Sequence, residues 1–339
     1  KKSRKMKISA SIYSDKSRSL KAVVEDLVRH QVDMLHIDCN DDLSVFEDIK
    51  DIRQWCNLPL DLHIITEEPE KYFQLLEENP VEYVTFQYEN LNEPLVLPET
   101  ITGKKGLAVI TPTSVDAFDA YASYDFILIM ATIPGQSGGV FDKINFDKIR
   151  QFRKKYPSKS IHVDGGVNGE VSFILRNMGV SSSVSGSYLF KEASVGNALM
   201  NLTKRSITSE FKVEDFMTPI AECPVVHLST MDFQNVLETI DKGQLGFTIV
   251  VEQEEQFYGI ISNADIRKAL MRVHPNYMDL ELKTMVNTQP ITINKDLTVD
   301  QMLSVVKKSP FTVSYLPVVD TAGKAVGIVN FSNLIKAEL

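Results

Sequence analysis

Cysteine is scarce in this sequence and tryptophan scarcer, with three of the first and one of the second in 339 residues. Cys39, Cys56 and Cys223 are odd in number and show no C-x-x-C spacing. That argues against a disulfide framework and fits a reduced, cytoplasmic protein. Long apolar runs are missing as well. Nothing approaches the ~20 residues of a membrane span, and the longest notable run, Phe126 to Ala131, reads as a buried strand. Positive charge is in deficit, with 36 Lys and Arg against 45 Asp and Glu and a net charge of −9. A phosphate backbone or an anionic membrane surface needs a basic face, so neither nucleic acid nor membrane is an expected partner. The one basic cluster, Lys1 to Lys7, reads as a solvated arm. The chain opens on Lys1 rather than Met, so residues upstream of this numbering are expected.

What is present is an ordinary globular composition, 43% hydrophobic and 24% charged, in a chain long enough for two cores. Residues 6–202 alternate short apolar runs with amphipathic segments, the pattern of parallel βα units. Strands are predicted at 7–11, 34–38, 60–64, 83–86, 106–110, 126–130, 160–164 and 183–185. Helices are predicted at 19–29, 69–77, 115–121, 146–156 and 171–178. Eight such strands in about 200 residues imply an α/β fold, a (β/α)₈ TIM barrel. A polar stretch over 203–212 reads as a linker. Residues 213–339 form an internal repeat, in which Met217 and Met285, and Gly259 and Gly327, are each 68 apart. The two copies, 213–273 and 280–339, each read as a lead-in segment, a helix, two strands and a final helix. Packed together they make one α+β module.

Four residues stand near the C-terminal ends of barrel strands, where barrel chemistry belongs. They are His36 and Asp38 in L-H-I-D, His63 in D-L-H-I and Asp164 in H-V-D-G-G. His36 and Asp38 are two apart and share a strand face. Two imidazoles and two carboxylates at one mouth suit a divalent cation, and the two carboxylates can pass a proton between opposite faces of a carbon acid. A lone histidine on a strand is more often a hydrogen-bonded core residue; four at matched strand ends favour a metal site. His162 lies one layer below Asp164 and is expected to be a hydrogen-bonding interior residue. Gly165-Gly166 and Gly186-Ser187 precede helical segments whose N–H groups suit a phosphate.

The motifs Ile8-Ser9-Ala10-Ser11-Ile12, His36-Ile37-Asp38, Asp61-Leu62-His63-Ile64, Pro134-Gly135 with Gly138, and Val163-Asp164-Gly165-Gly166-Val167 resemble the ribulose-phosphate 3-epimerase family, in its order. The resemblance implies a ribulose-phosphate-binding barrel. It further implies a divalent metal, zinc, iron or manganese, on His36, Asp38, His63 and Asp164. Asp38 and Asp164 would be the acid/base pair, Ser11 a polar helper, and Gly135, Gly138, Gly165, Gly166, Gly186 and Ser187 the phosphate grip. The implied reaction is 3-epimerisation of a ketose phosphate, D-ribulose 5-phosphate or a related pentulose or hexulose phosphate. This chain departs from the family pattern at Cys39-Asn40-Asp41-Asp42, Ile64-Ile65, Gln87-Tyr88-Glu89 and Ile110-Thr111-Pro112-Thr113. Methionines are thereby lost around the metal positions, with Met130 retained. A changed sugar or a weakened enzyme would each explain that. A decarboxylase of the same barrel type would carry a lysine on strand three, and Asp61-Leu62-His63-Ile64-Ile65-Thr66 has none.

The repeat resembles a pair of CBS domains, most clearly in Leu316-Pro317-Val318-Val319-Asp320 and Gly327-Ile328-Val329. That implies an adenine nucleotide or nucleotide-sugar held by an S/T-x-x-D element, Ser262 to Asp265. The second copy reads Asn330-Phe331-Ser332-Asn333, without the hydroxyl or the carboxylate, so one intact nucleotide site is expected. A homo-oligomer is the expected assembly; without a ligand the pair would be a dimerisation unit. The alternative to a regulated epimerase is a catalytically weak barrel that senses nucleotides or acts as a scaffold through its CBS domains. Metal content separates the two.

Overall fold

Strands of a parallel barrel are covered on both faces, so they read as continuous apolar runs rather than alternating ones. β6 (Phe126–Met130) is such a run, and all five of its residues are buried. It belongs to a closed parallel barrel with β1 (Lys7–Ser11), β2 (Met34–Asn40), β3 (Leu60–Ile65), β4 (Tyr83–Gln87), β5 (Lys104–Ile110), β7 (Ser160–Asp164) and β8 (Ser182–Ser185). The (β/α)₈ expectation is met. The computed structural model describes residues 6–132, 139–203, 210–310 and 313–331. These divide into two compact units, one up to residue 203 and one from residue 210. Among the described residues no helix is long and apolar enough to cross a membrane.

The barrel helices are α1 (Leu20–Arg29), α2 (Val45–Trp55), α3 (Phe73–Glu78), α4 (Ile144–Lys155), α5 (Gly169–Asn177), α6 (Ser187–Lys191) and α7 (Val195–Thr203). Side-chain caps fix two of their starts. Ser19 accepts from Ala22 N, and Asn168 accepts from Val171 N at 2.9 Å. α1 buries Val23, Val24 and Leu27, an i, i+1, i+4 stripe. Over Val115–Tyr121 the expected α-helix is a 3₁₀ helix instead. Its buried residues Val115, Phe118 and Tyr121 recur every three positions, the 3₁₀ period rather than 3.6. Inside the barrel, Met34, Tyr83, Ala108, Phe126, Leu128 and Met130 form one apolar cluster. The polar residues discussed below are carried on these same strands.

The second unit contains α8 (Val213–Phe216), β9 (Thr218–Pro219), β10 (Val225–His227), α9 (Phe233–Gly243), β11 (Phe247–Val251), β12 (Phe257–Ser262), α10 (Asn263–Val273), β13 (Ile293–Asn294), α11 (Val299–Lys308), β14 (Tyr315–Val319) and β15 (Ala325–Asn330). One sheet runs β10-β11-β12 and the other β13-β14-β15-β9. The repeat is visible in register, because β11–β12 and β14–β15 carry the same irregularity, at Val250/Val251 and Val318/Val319. The copies also exchange their lead-in segments. β9 of the first pairs with β15 of the second, while Asn287 of the second bridges Ile260 of the first. Phe247 and Tyr315, equivalent positions 68 apart, stack with centroids 3.7 Å apart. Ile249, Ile260, Ala325 and Ile328 complete a core drawn from both copies. Neither copy has that core alone, which is why the repeats fold as a pair. The expected final helix of the second copy, with Ser332 and Asn333, lies outside the described residues.

Candidate metal centre and active site

Alternation along β2 sets the geometry. His36, Asp38 and Asn40 are successive residues on one face. The strand runs to Asn40, two residues past the expected end, which leaves His36 mid-strand. Register puts Asp38 opposite His63 on β3, and Ser11 on β1 opposite His36. Asp164 ends β7, with Met130 opposite it on β6. One donor atom from each of His36, Asp38, His63 and Asp164 lies within 4.8 Å of the other three. His36 Nε2 is 3.2 Å from Asp38 Oδ1 and 3.8 Å from Asp164 Oδ2, and His63 Nδ1 is 3.6 Å from Asp38 Oδ1. Both imidazoles are fully buried, whereas the carboxylates keep 24% and 18% side-chain exposure. Two rings therefore form the floor of a mouth lined by acids.

Burial disfavours charge on all these groups, and the neighbours decide where it survives. At His36, burial is outweighed by the Asp38 and Asp61 carboxylates, which hold the imidazole well above its usual pKa. At Asp38, burial is outweighed by His36 and His63, so its carboxyl falls well below the ordinary carboxylate range. At Asp164 burial prevails over the pull of His36 and, with repulsion from Asp38, pushes the carboxyl up to about 6.

The donor set suits a divalent cation. Asp61 Oδ2 accepts from Ser9 Oγ at 2.9 Å and lies 2.9 Å from His36 Nδ1, so Nδ1 carries the proton and Nε2 faces the two acids. His63 Nε2 lies 2.9 Å from Gln87 Oε1. Its Nδ1, turned toward Asp38, is buried with no hydrogen-bond partner among the described residues. An orphaned buried polar atom costs about 1–3 kcal/mol, and a cation bound by the four residues would satisfy it. Two imidazole nitrogens and two carboxylates fit zinc, iron or manganese chemistry. In the sequence Asp61 stands out only as part of a motif and Gln87 only as a departure from the family pattern. A signal was there for Asp61, which precedes His63 by two and so shares its face.

Gly165 and Gly166 follow β7 with φ of +107° and +67°, a conformation that favours glycine. A side chain at either would collide with Thr132 Oγ1 or Phe141 N, at 2.4 and 2.2 Å from a built Cβ. The segments flanking residues 133–138 thus pack directly on the glycine pair. Gly186 precedes Ser187, the first residue of the five-residue α6. Ser11 Oγ accepts from Ser14 Oγ at 3.0 Å. Gly135 and Gly138 lie outside the described residues. His162 departs from expectation. Its Nδ1 has no hydrogen-bond partner among the described residues, and its ring stacks on Phe126 with centroids 4.1 Å apart. Burial lowers its pKa to about 4 and keeps it neutral. In a layer of aromatic rings it packs as one more ring.

In the second unit Ser262 and Asp265 meet each other. Asp265 Oδ2 accepts from Ser262 N at 2.9 Å and Ser262 Oγ at 2.5 Å, and Asp265 N donates back to Ser262 Oγ. This is a capping box at the start of α10.

Comparison with known proteins accords with this architecture. Residues 7–190, more than half of the chain, match the model of the ribulose-phosphate 3 epimerase family. Residues 213–272 and 282–339 each match that of the CBS domain. The ribulose-phosphate 3-epimerase of Candida glabrata is 31% identical over 161 residues, 46% of this chain and 65% of that protein. The cytoplasmic isoform from Oryza sativa subsp. japonica is 28% identical over 212 residues, 58% of this chain and 93% of that protein. Among solved structures, CBSX2 in complex with AMP is 21% identical with a TM-score of 0.32, covering 38% of this chain and 96% of that one. This chain belongs to the ribulose-phosphate 3-epimerase family, with a CBS domain pair following its barrel.

Proposed function

We propose that the barrel epimerises C3 of a ketose phosphate, D-ribulose 5-phosphate or a related pentulose or hexulose phosphate. The observation that carries this reading is the convergence of Asp38 from β2 and Asp164 from β7, whose carboxylate oxygens lie 3.2 and 3.8 Å from the same His36 Nε2 at the barrel mouth. Two carboxylates reaching one mouth from different strands are what a proton transfer between two faces requires. One carboxylate takes the C3 proton, and the electron pair it leaves is delocalised onto the neighbouring carbonyl oxygen. The other, as the acid, returns a proton to C3 from the opposite face. Ser11 lies opposite His36 and offers a hydroxyl to the substrate. The N–H groups of Gly165, Gly166, Gly186 and Ser187 take the phosphate, and Gly135 and Gly138, outside the described residues, are assigned to the same grip from the sequence.

His36, Asp38, His63 and Asp164 would hold the metal, zinc, iron or manganese. When bound, the cation supplies electrostatic stabilisation of the negative charge that develops beside C3. Regulation is assigned to the CBS pair, where Asp265 would hold the ribose of one adenine nucleotide or nucleotide-sugar per chain. A ligand there alters catalysis only through differential affinity for two states of the protein. We place the domain limits at 6–202 and 213–339, and a homo-oligomer is the proposed assembly. The test of the chemistry is exchange of the C3 proton with solvent deuterium across a panel of pentulose and hexulose phosphates. No exchange with any of them by metal-reconstituted protein would favour a sensor or scaffold role.

A further inference from the structure

Gln87 and Glu89 are not ligands of the four-residue cluster, yet they reach it through an unbroken hydrogen-bonded line. Glu89 Oε1 accepts from Ile110 N at 3.0 Å and from the Thr113 hydroxyl. The loop bearing those donors is itself pinned by Lys148, whose Nζ donates to Ile110 O at 2.6 Å and to Thr113 O at 2.5 Å. Lys148 is 8% exposed. Glu89 Oε2 accepts from Gln87 Nε2, and Gln87 Oε1 lies 2.9 Å from His63 Nε2. Gln87 is 2% exposed and His63 fully buried, so water does not compete for the bond between them, while the outer end of the line at Glu89 is exposed.

The direction of each bond follows from its outer end. A carboxylate holding a backbone N–H and a hydroxyl on one oxygen is an acceptor, so the Gln87 group facing it must be the NH₂. The amide oxygen then faces His63, and an amide oxygen only accepts. His63 Nε2 must therefore carry a proton, which in the neutral imidazole leaves Nδ1 with its lone pair. That is the buried nitrogen turned toward Asp38. The opposite tautomer would aim an N–H into the metal cluster and abolish ligation.

We infer that Gln87 is a positioning residue which, oriented by Glu89, fixes His63 as the Nε2–H tautomer and so makes its Nδ1 a metal ligand. The inference rests on the metal reading for its purpose, but the tautomer itself exists without metal. It also gives the Gln87-Tyr88-Glu89 departure a function. An acceptor is needed at residue 87, and any side chain that donates outward and accepts inward will serve.

The test uses full-length protein stripped of metal, with ¹⁵N-labelled histidine, at pH 8. With six histidines in the chain, the His63 resonances are assigned by their loss in His63→Ala. The expected result is an unprotonated Nδ1 and a protonated Nε2. Glu89→Gln removes the main acceptor of the Gln87 NH₂, leaving only Ala108 O at 3.5 Å, and should shift His63 toward the Nδ1–H form. In calorimetry with Mn²⁺ and Zn²⁺, Gln87→Leu should weaken binding roughly 10- to 100-fold. Gln87→His, which can donate to Glu89 and accept from His63, should restore it to within a few fold. A wild-type His63 protonated on Nδ1, or Gln87→Leu binding metal as tightly as wild type, would overturn the inference. If Gln87→Leu does not fold, the Glu89→Gln spectrum decides alone. The predicted tautomer in a protein that binds no metal would leave the relay standing and remove the metal reading instead.

Discussion

The chain presents two acid-bearing sites that differ in where their hydrogen bonds come from. Asp265 takes its donors from Ser262, three residues earlier, and returns its own N–H to the same side chain. In the barrel, His36 meets Asp61 and His63 meets Gln87 across strands β2, β3 and β4, and Asp38 faces His63 on the neighbouring strand. A locally closed cap is complete with the chain alone, so a nucleotide at Asp265 must compete with a bond the helix already uses. The barrel cluster is not complete in that sense. It ends on an orphaned nitrogen and on a carboxyl raised to about 6. The contrast teaches that a carboxylate in a family motif says less about ligand binding than whether its surroundings leave anything unsatisfied.

The contrast breaks first, and by the largest effect, at Asp164. Asp164→Asn keeps the shape but removes one of two acid/base groups, and epimerisation should fall by on the order of 10²–10⁴. A coupled assay with the preferred ketose phosphate reads this directly, and a rate within a few fold of wild type would return Asp164 to a structural role. Next is the metal. Reconstituted wild type should hold about one ion per chain by elemental analysis, and His63→Ala should weaken binding by more than the ~100-fold upper range typical of outer-shell losses. Because His36 is held protonated by Asp38 and Asp61, binding a cation releases that proton, so affinity should rise with pH.

A third effect belongs to the barrel interior. The folded pKa of His162, about 4, is below the 6.5 of an ordinary histidine. Its contribution to stability is therefore complete above pH 6.5 and is lost as the pH falls toward 4, by about 3 kcal/mol. His162→Gln should remove that slope in denaturant titrations; an unchanged slope would mean His162 does not carry it. The smallest effect sharpens the other half of the comparison. Ser262→Ala removes a helix cap and should cost about 1 kcal/mol in the nucleotide-free protein. Asp265→Ala should also abolish nucleotide binding in calorimetry with AMP, ATP and nucleotide-sugars. If binding survives it, the pair binds no nucleotide through Asp265.

Much of this was legible in the sequence because it rests on short-range rules. Period-2 alternation put His36 beside Asp38, and apolar runs of five or so marked the strands. The repeat of 68 exposed a tandem module, and its motifs the resemblance to a CBS pair. What escaped depends on which strands become neighbours. Asp61 bonds to His36 only because β3 lies in register beside β2, and Gln87 meets His63 only because β4 follows. His162 resembles a polar residue until Phe126, opposite Ser160 on the adjoining strand, is found stacked on it. The exchanged lead-in segments of the second unit are likewise a tertiary fact: nothing in Thr218-Pro219 names β15 as its partner.

The most direct test of the two-carboxylate barrel is mass spectrometry of substrate C3 in D₂O, with metal-reconstituted full-length protein, comparing wild type with Asp164→Asn. Wild type should epimerise at least one ketose phosphate and place one solvent deuterium at C3 of the product. Asp164→Asn should lose epimerisation while retaining at most exchange from a single epimer. Epimerisation that proceeds in Asp164→Asn at the wild-type rate, or product carrying no solvent deuterium, would contradict it.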